Sequence, residues 1–226
     1  MVIVTGASRG LGKAICDRLS SQGIDVLGVA RNVINSSYPI IACDISSSSD
    51  VKSLANYLRS GKSPITGLIN AAGVASLNLA LTTPSSVAER LISTNLLGTI
   101  YCCQYIAPLI IRGGSGGSII NFSTIAVALG LKGESIYVAS KAGVEGFSRS
   151  FAREMAPFNI TVNCIAPGPI DTDLLKGVTE SQIQKILDRQ IFQKKFTPSD
   201  VADIVDVLLD SKSKSLSGQI FNIGGV

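Results

Sequence analysis

The first dozen residues constrain the fold of this chain more than any other stretch. Val2–Val4 is a short, wholly apolar run, which is typical of a central strand in a parallel sheet. The glycine-rich segment Thr5–Gly12 follows, and Ile15 and Leu19 then continue with helical spacing. A strand, a glycine turn and a helix in this order predict a phosphate-binding turn, since glycines let the backbone approach a pyrophosphate. A plain tight turn is the alternative, because the spacing is G-x-x-x-G-x-G.

Strands and helices alternate along the rest of the chain, which predicts an α/β fold. We expect a Rossmann-like doubly wound parallel sheet of about seven strands, with helices on both faces. The further predicted strands are Ile24–Ala30, Pro39–Cys43, Gly67–Asn70, Ser118–Phe122, Ile160–Ile165 and Gln219–Ile223. The predicted helices cover Ser86–Leu97, an apolar run on to Ile111, the stretch around Tyr137 to Ala156, and a last helix opened by Pro198.

Three connections carry predictions of their own. Asn32–Tyr38 is too short for a full crossover helix, so we expect a clipped connection there. Gly113–Gly117 is expected to be a flexible loop. Residues 171–195 are polar and irregular in period, which predicts a lid over the substrate. The 226 residues, 46% of them hydrophobic and 16% charged, favour a single domain spanning 1–226.

Composition excludes several classes of function. The chain has no histidine, and its five cysteines form no C-x-x-C pair, so we expect no metal site and no Ser-His-Asp mechanism. Reduced, buried thiols are typical of a cytoplasmic protein. The net charge of +4 comes without a basic run, so no nucleic-acid partner is expected. No apolar run reaches about 18 residues and no signal peptide opens the chain, so no membrane span is expected.

Tyr137 and Lys141 form the main candidate for acid–base chemistry. Residues four apart on a helix lie on one face. A free phenol has a pKa of about 10, and a nearby ammonium favours the phenolate, so Lys141 is expected to lower the pKa of Tyr137. A surface Tyr and Lys at this spacing is the alternative for the pair taken alone.

The end of the second strand predicts the cofactor. An acid there would hold a ribose 2′-hydroxyl, but the place is taken by Ala30, and Arg31 follows. An arginine suits a 2′-phosphate, and Arg9 in the glycine turn is a second cation, so NADP(H) is favoured. For each arginine a solvated surface charge is the alternative. Asp44 ends the third strand, where it binds an adenine amine or caps the next helix.

The whole chain resembles the short-chain dehydrogenase/reductase family, and most closely its 3-oxoacyl-(acyl-carrier-protein) reductases. The motifs that carry the resemblance occur in the family's order: Thr5–Gly12, Asn70–Gly73, Asn95, Tyr137 with Lys141, and Asn163–Gly168 followed by Ile170 and Thr172. The resemblance implies hydride transfer between NADP(H) and a carbonyl or alcohol, on a small or acyl-carrier-bound substrate, by a homotetramer. A sugar or small-alcohol dehydrogenase and a non-catalytic cofactor-binding protein are the alternatives.

The resemblance also implies roles for particular residues. Tyr137 donates the proton, Lys141 holds the nicotinamide ribose, and Asn95 retains a water. The family's catalytic serine falls at Thr124, thirteen residues before the tyrosine, and its neighbour Ser123 is the less favoured alternative. The implied cofactor-binding residues are Gly6, Ser8, Arg9, Gly10, Leu11, Gly12, Arg31, Asp44, Asn70, Ala71, Gly73, Tyr137, Lys141, Pro167, Gly168, Ile170 and Thr172.

Basic residues for docking an acyl carrier protein are only half present. Related reductases carry one arginine at the start of the fifth strand, where this chain has Ser118. The second lies after the sixth strand, where Lys176 keeps the charge. The acyl-carrier substrate is therefore the weaker part of the prediction.

Overall fold

A computed structural model describes residues 1–61, 63–172, 175 and 178–226. Its strands form a single seven-stranded sheet in which every pair of neighbours is parallel. The predicted fold class is thereby confirmed. The strands are β1 (Val2–Thr5), β2 (Val26–Ala30), β3 (Ile40–Ala42), β4 (Gly67–Asn70), β5 (Gly117–Phe122), β6 (Ile160–Pro167) and β7 (Ile220–Ile223).

Helices cover both faces of the sheet. They are α1 (Gly10–Ser21), α2 (Ser48–Ser60), α3 (Ser85–Leu91), α4 (Gly98–Gly113), α5 (Ala126–Leu129), α6 (Ser135–Met155), α7 (Glu180–Leu187) and α8 (Pro198–Leu209). Short 3₁₀ turns lie at Ala80–Thr82, Ala156–Phe158 and Ser211–Ser213. As predicted, Pro198 opens the last long helix, and Thr197 and Asp200 form a capping box around it.

Two apolar cores flank the sheet, because successive strand residues point to opposite faces. Leu68 belongs to the core shared with α2, α4 and α6, whereas its neighbour Ile69 belongs to the core shared with α1 and α8. Ile119 and Ile120 divide in the same way. Both faces are therefore dry, which explains why these strands are continuous apolar runs rather than alternating ones.

The strand order β3-β2-β1-β4-β5-β6-β7 places the topological switch between β1 and β4. From β1 the chain winds outward through β2 and β3, and then returns to β4 and winds the other way. In open parallel sheets, ligands bind in the crevice beyond the carboxyl ends of the strands at such a point. The glycine turn after β1 and the Asn70–Gly73 segment after β4 meet at this crevice.

Several element bounds differ from the sequence predictions. The clipped connection between β2 and β3 is confirmed, since no helix separates them among these fully described residues. β2 begins at Val26 rather than Ile24, whose side chain is 37% exposed. The expected loop at Gly113–Gly117 is shorter, because Gly113 ends α4 and Gly117 opens β5.

A π-helical turn, Ile92–Leu97, joins α3 and α4 into one continuous helix from Ser85 to Gly113. The sequence had suggested two separate apolar runs. With a mean hydropathy of 1.3, this helix is long enough and apolar enough to cross a membrane, by length and composition only. The sequence had predicted no such helix. Half of its apolar stretch is buried inside the protein, as is common for a helix that packs in a core.

The predicted lid is more ordered than an irregular segment. It contains α7, which starts with a capping box between Thr179 and Gln182 and buries Ile183 and Leu187. Residues 173, 174, 176 and 177 fall outside the described chain, and with them Lys176, the predicted docking cation.

Gln190, near the end of the lid, is an unsatisfied buried amide. It is 4% exposed, and neither its amide nitrogen nor its oxygen has a hydrogen-bond partner within the described chain. The amide packs on the main chain of Gly168, where an added Cβ would lie 2.8 Å from both amide atoms. An unpaired buried polar group costs about 1 to 3 kcal/mol, so this residue lowers the stability of the fold.

We expect Gln190→Met to raise the free energy of unfolding by about 1 to 3 kcal/mol, because methionine is of similar size and carries no amide. Urea denaturation of the wild type and the variant measures this difference. Gln193→Met, at an exposed neighbouring position, serves as the control. A loss of stability in Gln190→Met would show that the amide is paired in solution.

Candidate active site

An open cleft of about 570 Å³ lies beyond the carboxyl ends of the central strands. Its walls come from the segments that follow β1, β2, β3, β4, β5 and β6 and from α6. The sequence-predicted residues that line it are Gly6, Ser8, Arg9, Gly10, Leu11, Gly12, Arg31, Asp44, Ala71, Gly73, Thr124, Tyr137, Lys141, Pro167, Gly168, Ile170 and Thr172. Residues far apart in sequence therefore share one cleft. Two predicted residues, Asn70 and Asn95, do not line it.

The glycine turn fits a pyrophosphate because two of its positions require a residue without a side chain. Gly6 has a φ of 73°, a left-handed conformation that side chains disfavour. A Cβ on Gly12 would lie 2.3 Å from the Gly6 carbonyl oxygen, so only glycine allows α1 to start this close to the turn. Arg9 precedes α1 without a side-chain cap, as far as the described residues show. The first N–H groups of α1 are thus left to a ligand in the cleft.

Asn70 is buried in a chain of side-chain amides beneath the cleft. Its Nδ2 donates to Asn121 Oδ1 at 2.8 Å, and Asn121 Nδ2 donates to Ser148 Oγ at 2.8 Å. These bonds tie β4 to β5 and to α6. The sequence predicted that Asn70 contacts the cofactor. The structure instead places this side chain beneath the cleft, where it is 2% exposed.

Asn95 lies in the π turn and forms hydrogen bonds with the segment after β4. Its Oδ1 accepts from the Val74 N–H at 2.8 Å, and its Nδ2 donates to the Val74 carbonyl at 2.9 Å and to Ser140 Oγ at 3.1 Å. Its main-chain carbonyl accepts the Thr99 hydroxyl at 2.8 Å. These side-chain bonds therefore fix one wall of the cleft to α6.

Tyr137 and Lys141 are both buried at the inner end of the cleft, where α6 passes the end of β5. The Lys141 ammonium donates to the Phe122 carbonyl at 2.8 Å, and burial lowers the pKa of Lys141 to about 8. Burial raises the pKa of Tyr137 above its usual value, and the nearby Glu134 adds to this, whereas a hydrogen bond with Thr124 acts in the opposite direction.

The net pKa of Tyr137 is therefore raised, and not lowered as the sequence predicted. Loss of water around the phenol outweighs the other influences, and the ammonium is engaged with Phe122 instead. Tyr137 is consequently a neutral phenol at pH 7, which is the form that can give up a proton.

The two neighbouring hydroxyls at the end of β5 have different surroundings. Ser123 Oγ donates to the buried carboxylate of Glu145 at 2.7 Å, so this hydroxyl is committed to α6. Thr124 accepts from the Ala126 N–H at 3.2 Å, and its hydroxyl is close enough to Tyr137 to act against the rise in the pKa of the phenol. Thr124 thus provides the hydroxyl that stands beside the phenol.

We expect Thr124→Ala to lower kcat/KM more than Ser123→Ala, because only Thr124 lies beside Tyr137. Thr124→Ser keeps the hydroxyl and should have a mild effect or even a beneficial one. Steady-state kinetics of the three variants on one ketone measures the order. A larger loss in Ser123→Ala than in Thr124→Ala would show that the hydroxyl of Ser123, which also lines the cleft, is the one that acts on the substrate.

The adenine end of the cleft carries two exposed arginines. Arg9 and Arg31 both line it, and Ala30, at the end of β2, is buried. Asp44 Oδ1 accepts from the N–H and the hydroxyl of Ser46 at 3.0 and 2.8 Å. The cap of α2 is Ser47 rather than Asp44, so the capping alternative for Asp44 is wrong.

Sequence reasoning missed most of the substrate end of the cleft. Its wall is largely apolar, with one acid, and comprises Val74, Ala75, Ser76, Leu77, Leu131, Glu134, Leu175, Val178 and Ile186. These residues belong to no motif. Only Glu134 carried a usable signal, since it stands three residues before Tyr137 and hence on the same side of α6.

This fold and this cleft define a nicotinamide-dependent oxidoreductase. The family model of the short chain dehydrogenases matches residues 1–183, and the chain belongs to that family. Two curated relatives span almost all of it. The 3-oxoacyl-(acyl-carrier-protein) reductase FabG of Staphylococcus epidermidis is 33% identical over 99% of this chain and 96% of its own length. Carbonyl reductase family member 4 of Xenopus laevis is 34% identical over 98% and 95%.

The likeness extends to solved structures. The ligand-free aldohexose dehydrogenase of Thermoplasma acidophilum has a TM-score of 0.89 and is 29% identical, covering 99% of this chain and 92% of that one. The three relatives are thus named for three different carbonyl or alcohol substrates. The family assignment therefore fixes the chemistry but leaves the substrate to be argued from the cleft.

Proposed function

We propose that this chain is an NADP(H)-dependent ketone reductase. The observation that carries the proposal is the meeting of Thr124, Tyr137 and Lys141 at one end of a cleft whose other end is the glycine turn. A bound nicotinamide cofactor supplies the hydride. Every other part of the reaction falls to side chains and backbone groups of the chain itself.

Thr124 and Tyr137 act on the substrate carbonyl. Their hydroxyls bind its oxygen, which draws electron density from the carbonyl carbon and orients it. Tyr137 then gives its proton to the forming alkoxide. A phenol that is neutral at pH 7 can give its proton to the alkoxide formed by hydride transfer, because the alkoxide is a much stronger base than a phenolate.

Lys141 supports both the cofactor and Tyr137. An ammonium has three donors, and one of them is used on the Phe122 carbonyl. The others are available for the ribose hydroxyls of the cofactor. After proton donation, the positive charge of Lys141 stabilises the phenolate. The relay water expected at Asn95 stays a prediction, because both polar atoms of its side chain already have partners in the described chain.

The acyl-carrier form of the substrate has less support than a small ketone. Ser118, at the first expected docking position, is buried and donates to the Leu208 carbonyl at 2.7 Å. It is the second residue of β5 and so lies near the amino ends of the strands, at the opposite end of the sheet from the cleft. Lys176 lies outside the described residues. The homotetramer implied by the family resemblance stays a prediction.

The test is NADPH consumption, followed by absorbance, on a panel of small ketones, 3-oxoacyl thioesters and aldoses. Turnover of ketones by the wild type is the expected result. Preferred turnover of aldoses would favour a sugar dehydrogenase. Tight cofactor binding without turnover of any carbonyl would contradict the proposal and favour a cofactor-binding protein.

Cofactor choice should depend on Arg31. A 2′-phosphate must be paired with a cation to be selected, and a charge-assisted hydrogen bond contributes about 1.5 to 3 kcal/mol. We therefore expect Arg31→Ala to reduce kcat/KM for NADPH about tenfold or more, with little effect on NADH. Ala30→Asp should reverse the preference, because its carboxylate repels the phosphate and suits a hydroxyl.

Kinetics with both cofactors on one ketone measures this preference. Arg153→Ala serves as the control, since Arg153 is exposed on α6 and does not line the cleft. A wild type that prefers NADH would show that Arg9 and Arg31 point to solvent.

A further inference from the structure

A carboxylic acid stands at the substrate end of the cleft, beside the proposed proton donor. Glu134 is the residue immediately before α6, and it lies one turn before Tyr137. It lines the cleft on the same side as Leu77 and Leu131. The reaction proposed above gives this side chain no task.

The position of Glu134 does not follow from the needs of helix capping. An acid at a helix N-terminus normally stabilises the helix by capping its first N–H groups. Glu134 occupies the N-cap position of α6, yet its side chain forms no cap bond within the described chain. Only the main-chain carbonyl of Glu134 takes part in the hydrogen bonding of the helix. It accepts from the Val138 N–H at 2.7 Å. The carboxyl group is thus left for the cleft.

The surroundings of the carboxyl group make it available to a ligand. Leu77, Leu131 and Ile186 line the same end of the cleft, and burial raises the pKa of Glu134. No lysine or arginine of the described chain contributes to that shift, and no described donor is bonded to the carboxylate. A half-buried acid facing an apolar cleft needs a hydrogen-bond donor to satisfy it, and it repels an anion.

We propose that Glu134 contacts the substrate and determines its class: an uncharged carbonyl compound with a hydroxyl group near the carbonyl. Because Glu134 and Tyr137 lie on the same side of α6, a substrate whose carbonyl oxygen meets Tyr137 brings its adjacent substituent to Glu134. A hydroxyl there donates to the carboxylate. A carboxylate there is excluded, so oxo acids are poor substrates. This inference rests on the proposed reductase function.

Two substrate pairs test the inference. Ethyl acetoacetate and acetoacetate share a ketone and differ in charge, whereas hydroxyacetone and acetone differ in one hydroxyl. The wild type should prefer the neutral member of the first pair and the hydroxylated member of the second. Glu134→Lys should raise kcat/KM for acetoacetate relative to its ester about tenfold or more, since it replaces like-charge repulsion with attraction.

Glu134→Gln provides a second, milder variant of nearly the same shape. It removes the charge, so the preference for hydroxyacetone over acetone should fall about tenfold. Glu154→Lys is the matched control, because Glu154 is exposed at the far end of the same helix and changes the net charge equally. It should leave both ratios as in the wild type. Titration with NADPH, followed by the fluorescence of the bound nicotinamide, shows that each variant is folded.

The possible outcomes separate this inference from the function on which it rests. Unchanged ratios in folded Glu134→Gln and Glu134→Lys, with normal wild-type turnover, would overturn the substrate class while leaving the reductase intact. If Glu134→Lys does not fold, the hydroxyacetone ratio of Glu134→Gln decides alone. Failure of the wild type to reduce any carbonyl with NADPH or NADH would overturn the reductase function and this inference together.

Discussion

Tyr137→Phe is expected to lower kcat by about two to four orders of magnitude while leaving the affinity for NADPH nearly unchanged. The phenol hydroxyl is the group that donates the proton, and it lies with Thr124 at the inner end of the cleft. Phenylalanine keeps the ring, so the packing of this buried side chain is preserved. Steady-state kinetics and a fluorescence titration with NADPH measure the two effects separately.

Tyr57→Phe is the matched control for this variant. Tyr57 lies on α2 with 64% of its surface exposed, and it is not part of the cleft, so its loss should change neither quantity. Turnover at the wild-type level in Tyr137→Phe would remove Tyr137 from the mechanism. A parallel loss of NADPH affinity would mean that the hydroxyl also holds the cofactor.

Lys141→Ala should lose both turnover and cofactor affinity. Its ammonium is the only buried lysine head group at the cleft within the described residues, and it carries the proposed ribose contact and the stabilising charge. Removal also leaves the Phe122 carbonyl without its donor. NADPH affinity unchanged in this variant would rule out the ribose contact, and Lys52→Ala, at an exposed site on α2, is the control.

The pH dependence follows from the lowered pKa of Lys141. Burial brings this pKa from 10.5 to about 8, so the charge is present below pH 8 and is lost as the pH rises through it. NADPH affinity of the wild type should therefore fall above about pH 8, and this fall should be absent in Lys141→Ala. Stability changes in the opposite sense: the unfolded chain binds the extra proton between the two pKa values, so this residue's destabilising effect diminishes as the pH rises from about 8 to 10.5.

The sequence predicted the sheet and the cleft well because both depend on local patterns. Apolar runs such as Gly67–Asn70, separated by helices, specify a parallel sheet, and its topology brings the strand ends together. Motif residues at those ends, including Gly6 and Gly73, then line one cleft with Tyr137 of α6. No knowledge of side-chain contacts was needed for that step.

The directions of individual side chains could not be predicted in the same way. Ser123 and Thr124 are adjacent hydroxyls, and the acid that holds Ser123, Glu145, lies on a helix twenty-two residues later. Likewise the partner of Asn70 is Asn121, fifty-one residues later in the interior of β5. The pKa of Tyr137 depends on how completely water is excluded around it, which is a property of the packed structure.

The π turn that carries Asn95 makes the long helix Ser85–Gly113 sensitive to changes in its number of residues. A π turn holds about one residue more than an α turn, and each residue of an α-helix advances the chain by about 100°. The buried face of α4 is therefore rotated about the helix axis relative to that of α3. Asn95 lies in the turn where this rotation occurs. Deleting a single residue there would convert the π turn into an α turn. Either Asn95 would then turn away from Val74, or Cys102 and Ile106 would turn out of the core. This helix can exchange side chains far more readily than it can change its length.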